Sequence, residues 1–122
     1  MKAFANASPR DLRQAVTLLK QAGQQGRSAS IVGGGSDLLG MVKERLVAPD
    51  VLVNLKAING LDQVAVQADE VKIGGLITLD ALSRNPLVRG RYTALAEAAE
   101  SVGTPQIRNV GTLAGNICQR PW

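Results

Sequence analysis

Apolar residues recur along this chain at two periods, and each change of period marks an element. Leu12, Ala15, Val16, Leu19 and Ala22 stand three and four apart, the spacing of one helix face. Ahead of them Ser8-Pro9-Arg10-Asp11 reads as an N-cap, a proline at the first helical position and an acid at the third, and Gly23 supplies the stop. Lys2 to Ala5 is expected as a short first strand. Polar Gln24 to Ser28 leads into a second strand ending at Val32, and Val51-Leu52-Val53-Asn54-Leu55 is the apolar run of a strand covered on both faces. Strands joined through helices in this way run parallel, so a three-stranded parallel sheet is expected.

Asp37 to Leu46 predicts a short helix with Leu38, Leu39 and Val42 inward, Lys43, Glu44 and Arg45 in solvent, and Pro49 as its end. Met41 and Val42 are read as core. Beyond Asn59-Gly60 the pattern changes. Val64 and Val66, then Val71 and Ile73, alternate on either side of Ala68-Asp69, the mark of an antiparallel hairpin. Gly74-Gly75 is read as a bulge or a close backbone approach in preference to a ligand contact. Thr78 is a cap for a short helix that Pro86 terminates, and Leu95, Ala96, Ala99 and Val102 mark a further helix closed by Gly103. The fold class is therefore α+β. Residues 1–58 form a small parallel β-α-β lobe with a glycine loop, and residues 59–122 begin a second, antiparallel α+β lobe.

Composition removes several functions. Among 122 residues there is one Phe, one Tyr and one Trp, too few to stack bases, and the net charge of +4 is carried by singly spaced Lys and Arg. No nucleic-acid partner is expected. No apolar run is long enough to span a bilayer and no secretory leader is visible, so no membrane association is expected. With a single cysteine, which permits no internal disulfide, the setting is read as cytoplasmic, export alongside a partner subunit remaining open. Zero histidines and one cysteine leave no catalytic residue to assign and no metal site, so any redox chemistry would be a cofactor's.

Two stretches are side-chain-poor. Ile31-Val32-Gly33-Gly34-Gly35-Ser36-Asp37-Leu38-Leu39 runs from a strand through three glycines to a cap residue and a helix start. Such a loop can turn several N–H groups to one point where the helix dipole also favours an anion, a phosphate cradle; the other reading is a glycine turn with no ligand. A Walker loop fits poorly because the next lysine is Lys43, a helical turn or more too late. A Rossmann fingerprint fits poorly because Leu38 stands where its third glycine belongs and Asn54 ends the next strand. The second stretch is Thr104 to Cys118. There Gly111, Ala114 and Gly115 alternate with Thr112 and Asn116, either a backbone pressed against a ligand or a turn with a helix start. Arg108 could pair with a cofactor phosphate, bind a partner subunit or satisfy carbonyls at a helix end. Cys118 is read as an ordinary thiol.

Together, Gly33-Gly34-Gly35-Ser36-Asp37-Leu38-Leu39 and Arg108-Asn109-Val110-Gly111-Thr112-Leu113-Ala114-Gly115-Asn116 resemble the flavin-binding domain of molybdopterin dehydrogenases, the FAD-binding type-2, PCMH-like domain of the medium subunits of xanthine, aldehyde and carbon monoxide dehydrogenases. Met1-Lys2-Ala3-Phe4, Lys56-Ala57-Ile58 and Ile73-Gly74-Gly75 fit as well, so the resemblance covers the chain. It implies FAD held between two lobes, with Val32, Gly33, Gly34, Gly35, Ser36, Asp37 and Leu38 along the pyrophosphate and Thr112, Ala114, Gly115 and Asn116 as the second contact. Ala114 stands where the family often has a glycine, which tests the sign of φ there. The flavin of such enzymes relays electrons from a molybdenum centre through iron-sulfur clusters to an acceptor. The resemblance thus implies iron-sulfur and molybdopterin subunits as partners, and an electron-transfer role in an oxidoreductase complex without competence alone.

Family members run to more than twice this length, so the fold is expected to be truncated at its C-terminus, and FAD to be weakly held or absent in this chain by itself. A cysteine-bound cluster, found in some relatives, cannot be built from Cys118 alone. Two other readings stay open: a stand-alone module binding a nucleotide phosphate, and a truncated domain serving assembly only. Self-association is compatible with each.

Overall fold

A computed structural model describes residues 2–119, and the chain divides into two compact units, Met1–Asn59 and Gly60–Trp122. The first is built on three parallel strands, β1 (Ala5–Ala7), β2 (Ala29–Val32) and β3 (Val51–Asn54), in the order β1-β3-β2. Central β3 pairs Val51 with Ala5 on one side and with Ala29 on the other, and the β2 ladder ends where Val32 lies beside Asn54. Val51, Leu52 and Val53 are buried, as a strand flanked and covered on both faces requires.

The first strand begins three residues later than the sequence pattern places it. Its pairing begins at Ala5, whose N–H donates to the Asp50 carbonyl, while Lys2 reaches back to the Asp50 carboxylate at 2.6 Å. Helix α1 (Leu12–Gln24) also starts later. Its cap is Asp11, which accepts the Gln14 N–H at 2.7 Å while the Gln14 side chain accepts the Arg10 N–H at 2.8 Å. This variant of a capping box, closed on Arg10 and not on the cap residue's own N–H, replaces the one expected at Ser8, since a carboxylate is the stronger acceptor and Pro9 is buried ahead of it. Only Ala15 and Ala22 of the expected helix face are buried; Leu12 and Val16 are exposed.

Helix α2 (Leu38–Lys43) is shorter than the pattern implies. It ends at Arg45, whose φ of +61° turns the chain so that the Leu46 N–H donates to the Met41 carbonyl at 2.9 Å. That six-to-one bond closes the helix in the Schellman manner before Pro49 is reached. Val42 is buried and Leu39 exposed, which corrects the inward assignment of Leu39. A 3-10 turn, Leu55–Ala57, follows β3.

In the second unit β4 (Val64–Gln67) and β5 (Glu70–Ile73) pair antiparallel around Ala68, whose φ is +50°. Helix α3 (Leu79–Arg84) is capped by Thr78, as the sequence suggests. Pro86 does not merely end it. Asn85 accepts the N–H groups of Leu87 and Val88, and Pro86 opens α4 (Pro86–Arg91), because proline costs nothing at a first helical position. Helices α5 (Thr93–Ser101), α6 (Pro105–Arg108) and α7 (Leu113–Cys118) complete the unit. Its core is Ile77, Leu79, Leu82, Val88, Ala96 and Ala99, with Leu113 packed against it. The result is α+β, with a three-stranded parallel and a two-stranded antiparallel sheet.

Candidate functional site

The glycine loop leaves β2 at the C-terminal edge of the parallel sheet, the edge at which open α/β sheets take ligands. Of its three glycines only Gly35 is left-handed, with φ +83°. A Cβ there would also meet Leu39 Cδ1 at 3.0 Å, so the position is closed to side chains both by conformation and by space. Ser36 is not the helix cap. The residue at that position is Asp37, whose backbone is already helical and whose side chain accepts no capping hydrogen bond.

The consequence is an unusual run of free donors. The backbone N–H groups of Gly33, Gly34, Gly35, Ser36, Asp37 and Leu38 donate no hydrogen bond among the described residues of their unit; the first amide of this segment to be used is Leu39, to the Gly35 carbonyl at 3.0 Å. These residues are half-buried, apart from exposed Ser36. Backbone donors left unpaired call for an outside acceptor, water or an anion. With six residues, α2 has a small macrodipole, so bare amides rather than the dipole are the loop's main resource for holding negative charge. Asn54, beside Val32, accepts the Lys56 N–H through its side chain at 3.0 Å and turns β3 into the 3-10 segment. In the sequence Asn54 registers only as a missing carboxylate, although a strand-ending Asn two residues before a lysine is itself a signal for this turn.

The second segment is built differently. Thr112 pairs with Thr78 in an isolated antiparallel bridge; Leu79 donates to the Gly111 carbonyl, Leu113 to Ile77 and Ala114 to Gly75, at 2.9, 3.0 and 2.8 Å. Thr112 caps α7 by accepting the Gly115 N–H at 3.1 Å, and Asn116 donates to the Thr112 carbonyl. Every amide from Leu113 to Asn116 is thus spent inside the unit. What remains, among the described residues, is the backbone N–H and hydroxyl proton of buried Thr112 and the carboxamide of half-buried Asn116. Gly115 has no room for a Cβ, which would lie 2.8 Å from Thr112 Oγ1. Ala114 avoids the positive-φ region, so its methyl strains no backbone. Gly74 is a close backbone approach: a Cβ would fall within the Leu61 carbonyl group.

Arg108 donates to the carbonyls of Val102 and Gly103 at 3.0 and 3.4 Å, satisfying the end of α5. Cys118 is an exposed free thiol. Among the described residues no three His, Cys, Asp or Glu side chains gather as a metal site, and no helix is long and apolar enough to cross a membrane.

An α+β chain with a donor-rich glycine loop at a parallel sheet edge is the class these features define. Residues 2–121 match the family described as the FAD binding domain in molybdopterin dehydrogenase, and the chain belongs to that family. It is 36% identical over 117 residues to the nicotinate dehydrogenase FAD-subunit of Eubacterium barkeri, covering 96% of this chain and 39% of that protein. It is 36% identical over 114 residues to the carbon monoxide dehydrogenase medium chain of Hydrogenophaga pseudoflava, covering 93% of this chain and 39% of that one. Among solved structures, carbon monoxide dehydrogenase from Hydrogenophaga pseudoflava lacking the Mo-pyranopterin moiety superimposes with a TM-score of 0.88 at 35% identity, over 93% of this chain and 39% of the other. Quinoline 2-oxidoreductase from Pseudomonas putida 86 gives 0.86 at 29%, over 94% and 40%. The chain therefore spans about 39% of the length of the relatives it matches first.

Proposed function

We propose that this chain supplies the N-terminal, pyrophosphate-holding part of an FAD-carrying electron-transfer subunit in a molybdenum hydroxylase-type oxidoreductase. The observation that carries this reading is the run of six unspent amides from Gly33 to Leu38, a donor set suited to the oxygens of a diphosphate. Val32 opens the loop, and Ser36, with an exposed side chain, offers a hydroxyl beside the amides. In the second segment Thr112 and Asn116 are the groups with capacity for the cofactor, while Ala114 and Gly115 keep the backbone low around them. When bound, FAD accepts and passes on electrons. The chain's own residues bind and orient, and none is assigned a catalytic step. The nicotinate and carbon monoxide dehydrogenase relatives are named as an FAD-subunit and a medium chain, which supports iron-sulfur and molybdopterin subunits as partners.

The test is titration of the purified chain with FAD, ADP, ATP and riboflavin, followed by thermal unfolding and calorimetry. A ligand that favours the native state raises its stability by mass action. FAD is expected to raise the unfolding temperature, ADP to raise it less, and riboflavin, which lacks the diphosphate, to leave it unmoved. A larger shift with ADP or ATP than with FAD would instead identify a small nucleotide-phosphate module. No shift with any of them would leave an assembly role.

A further inference from the structure

The glycine loop lacks a cation of its own. Between Ile31 and Leu39 the only charged residue is Asp37, an acid, and a diphosphate brought onto neutral amides beside a carboxylate needs a positive charge from a neighbouring element. The unit that holds the loop can supply it. Residues 1–59 carry eight Lys and Arg against four Asp and Glu, whereas residues 60–122 carry six against six, so the whole formal charge of +4 belongs to the loop's unit.

Within that unit the strand register selects one lysine. Asn54 lies beside Val32, the last residue before the glycines, at a ladder spacing of about 4.8 Å. Lys56 follows two residues later in a 3-10 turn that rises about 2 Å per residue, so it stays at the same sheet edge as the loop. Its backbone is pinned by the Asn54 side chain at 3.0 Å, its side chain is exposed, and it makes no ion pair among the described residues. Lys2, by contrast, is engaged by Asp50 at the opposite edge, and Arg10 follows β1 on the far side of β3.

We infer that Lys56 is the cation of this anion site, held at the loop by Asn54 and recognising the diphosphate of the bound dinucleotide. The inference rests on the loop reading above and adds to it a residue outside both glycine-rich stretches. Lysine suits this place as a compact charge on a flexible stem, reaching phosphate without the fixed fork geometry of arginine.

The experiment measures binding of FAD and of inorganic pyrophosphate to the parent chain, Lys56→Gln, Lys56→Arg and Arg10→Gln, each at low and high salt. Lys56→Gln is expected to bind both ligands about five- to tenfold more weakly at low salt and to lose most of the salt dependence seen in the parent. Lys56→Arg should keep most of the affinity, and Arg10→Gln should bind as the parent does. Unfolding temperatures without ligand should agree among all four, since both altered side chains are exposed. Equal affinity and equal salt dependence in the parent and Lys56→Gln overturn this inference while leaving the loop reading intact. A parent chain that binds neither ligand overturns both.

Discussion

Ala114 and Gly75 are fitted to one another at backbone and side-chain level: the Ala114 N–H donates to the Gly75 carbonyl at 2.8 Å, and a Cβ on Gly75 would lie 2.9 Å from that of Ala114. The Ala114 methyl is accommodated because the residue facing it has no side chain. Gly75→Ala is therefore expected to cost about 1–3 kcal/mol through overpacking. Adding Ala114→Gly should restore much of the loss, and a double-mutant cycle by chemical denaturation reads the coupling directly. Additive costs would mean that the two positions are not in contact.

Thr112 holds the second segment by capping α7, and Gly115 is the residue that leaves its hydroxyl room. Thr112→Val keeps the volume but removes the acceptor, with an expected loss of about 1 kcal/mol; Thr112→Ser should retain most of it. Gly115→Ala should be destabilising by a similar amount, because the new methyl displaces Oγ1. Thermal unfolding of the three variants checks the order.

In the first loop, conformation and binding separate. Gly35→Ala forces a left-handed alanine against Leu39 and should cost roughly 1–2 kcal/mol of stability, together with a loss of FAD affinity. Ser36→Ala removes an exposed hydroxyl with no partner among the described residues, so its stability should be unchanged and only its affinity should fall. Calorimetry alongside denaturation distinguishes the two.

Arg45 is the opposite case, a bulky residue with φ +61° where helix closure favours glycine. Arg45→Gly is expected to stabilise the chain by up to about 1 kcal/mol, seen as a higher denaturation midpoint with an unchanged slope.

At the other edge of the sheet the Asp50 carboxylate accepts from Lys2 Nζ at 2.6 Å, from the Ser28 N–H at 2.8 Å and from the Ser28 hydroxyl at 3.0 Å. The Lys2 contact first, then the Ser28 donors, hold its pKa far below the usual carboxylate value of 3.8. A folded-state pKa lower than the unfolded one adds stability that is fully present above the unfolded value and is lost as pH falls through the folded one. Stability should therefore decline progressively below about pH 4, where the unfolded chain takes up this proton and the native one resists it. Asp50→Asn should be less stable at neutral pH and flatten that acid limb, as denaturation across the pH range would record.

Much of the fold was legible because it is written in local chemistry. The apolar run of Val51 to Asn54, the alternation around Ala68-Asp69 and the Thr78 cap each follow from neighbours within a few residues. Errors fell where a local signal competed with a better distant or later partner. Asp11 displaced Ser8 as the cap, Asp50 drew Lys2 out of the first strand, and Pro86, expected only to terminate a helix, opens the next one.

Sequence alone determined that two stretches would be poor in side chains, because that is a property of the residues themselves. Only tertiary structure decided which of them keeps its amides. Pairing against Ile77 and Gly75 consumes the Leu113 and Ala114 donors of the second stretch, whereas the chain leaving β2 meets no such partner among the described residues of its unit. A hydrogen bond joins residues remote in the chain, so whether a backbone donor is spent or free is settled by the fold and not by the residue that carries it.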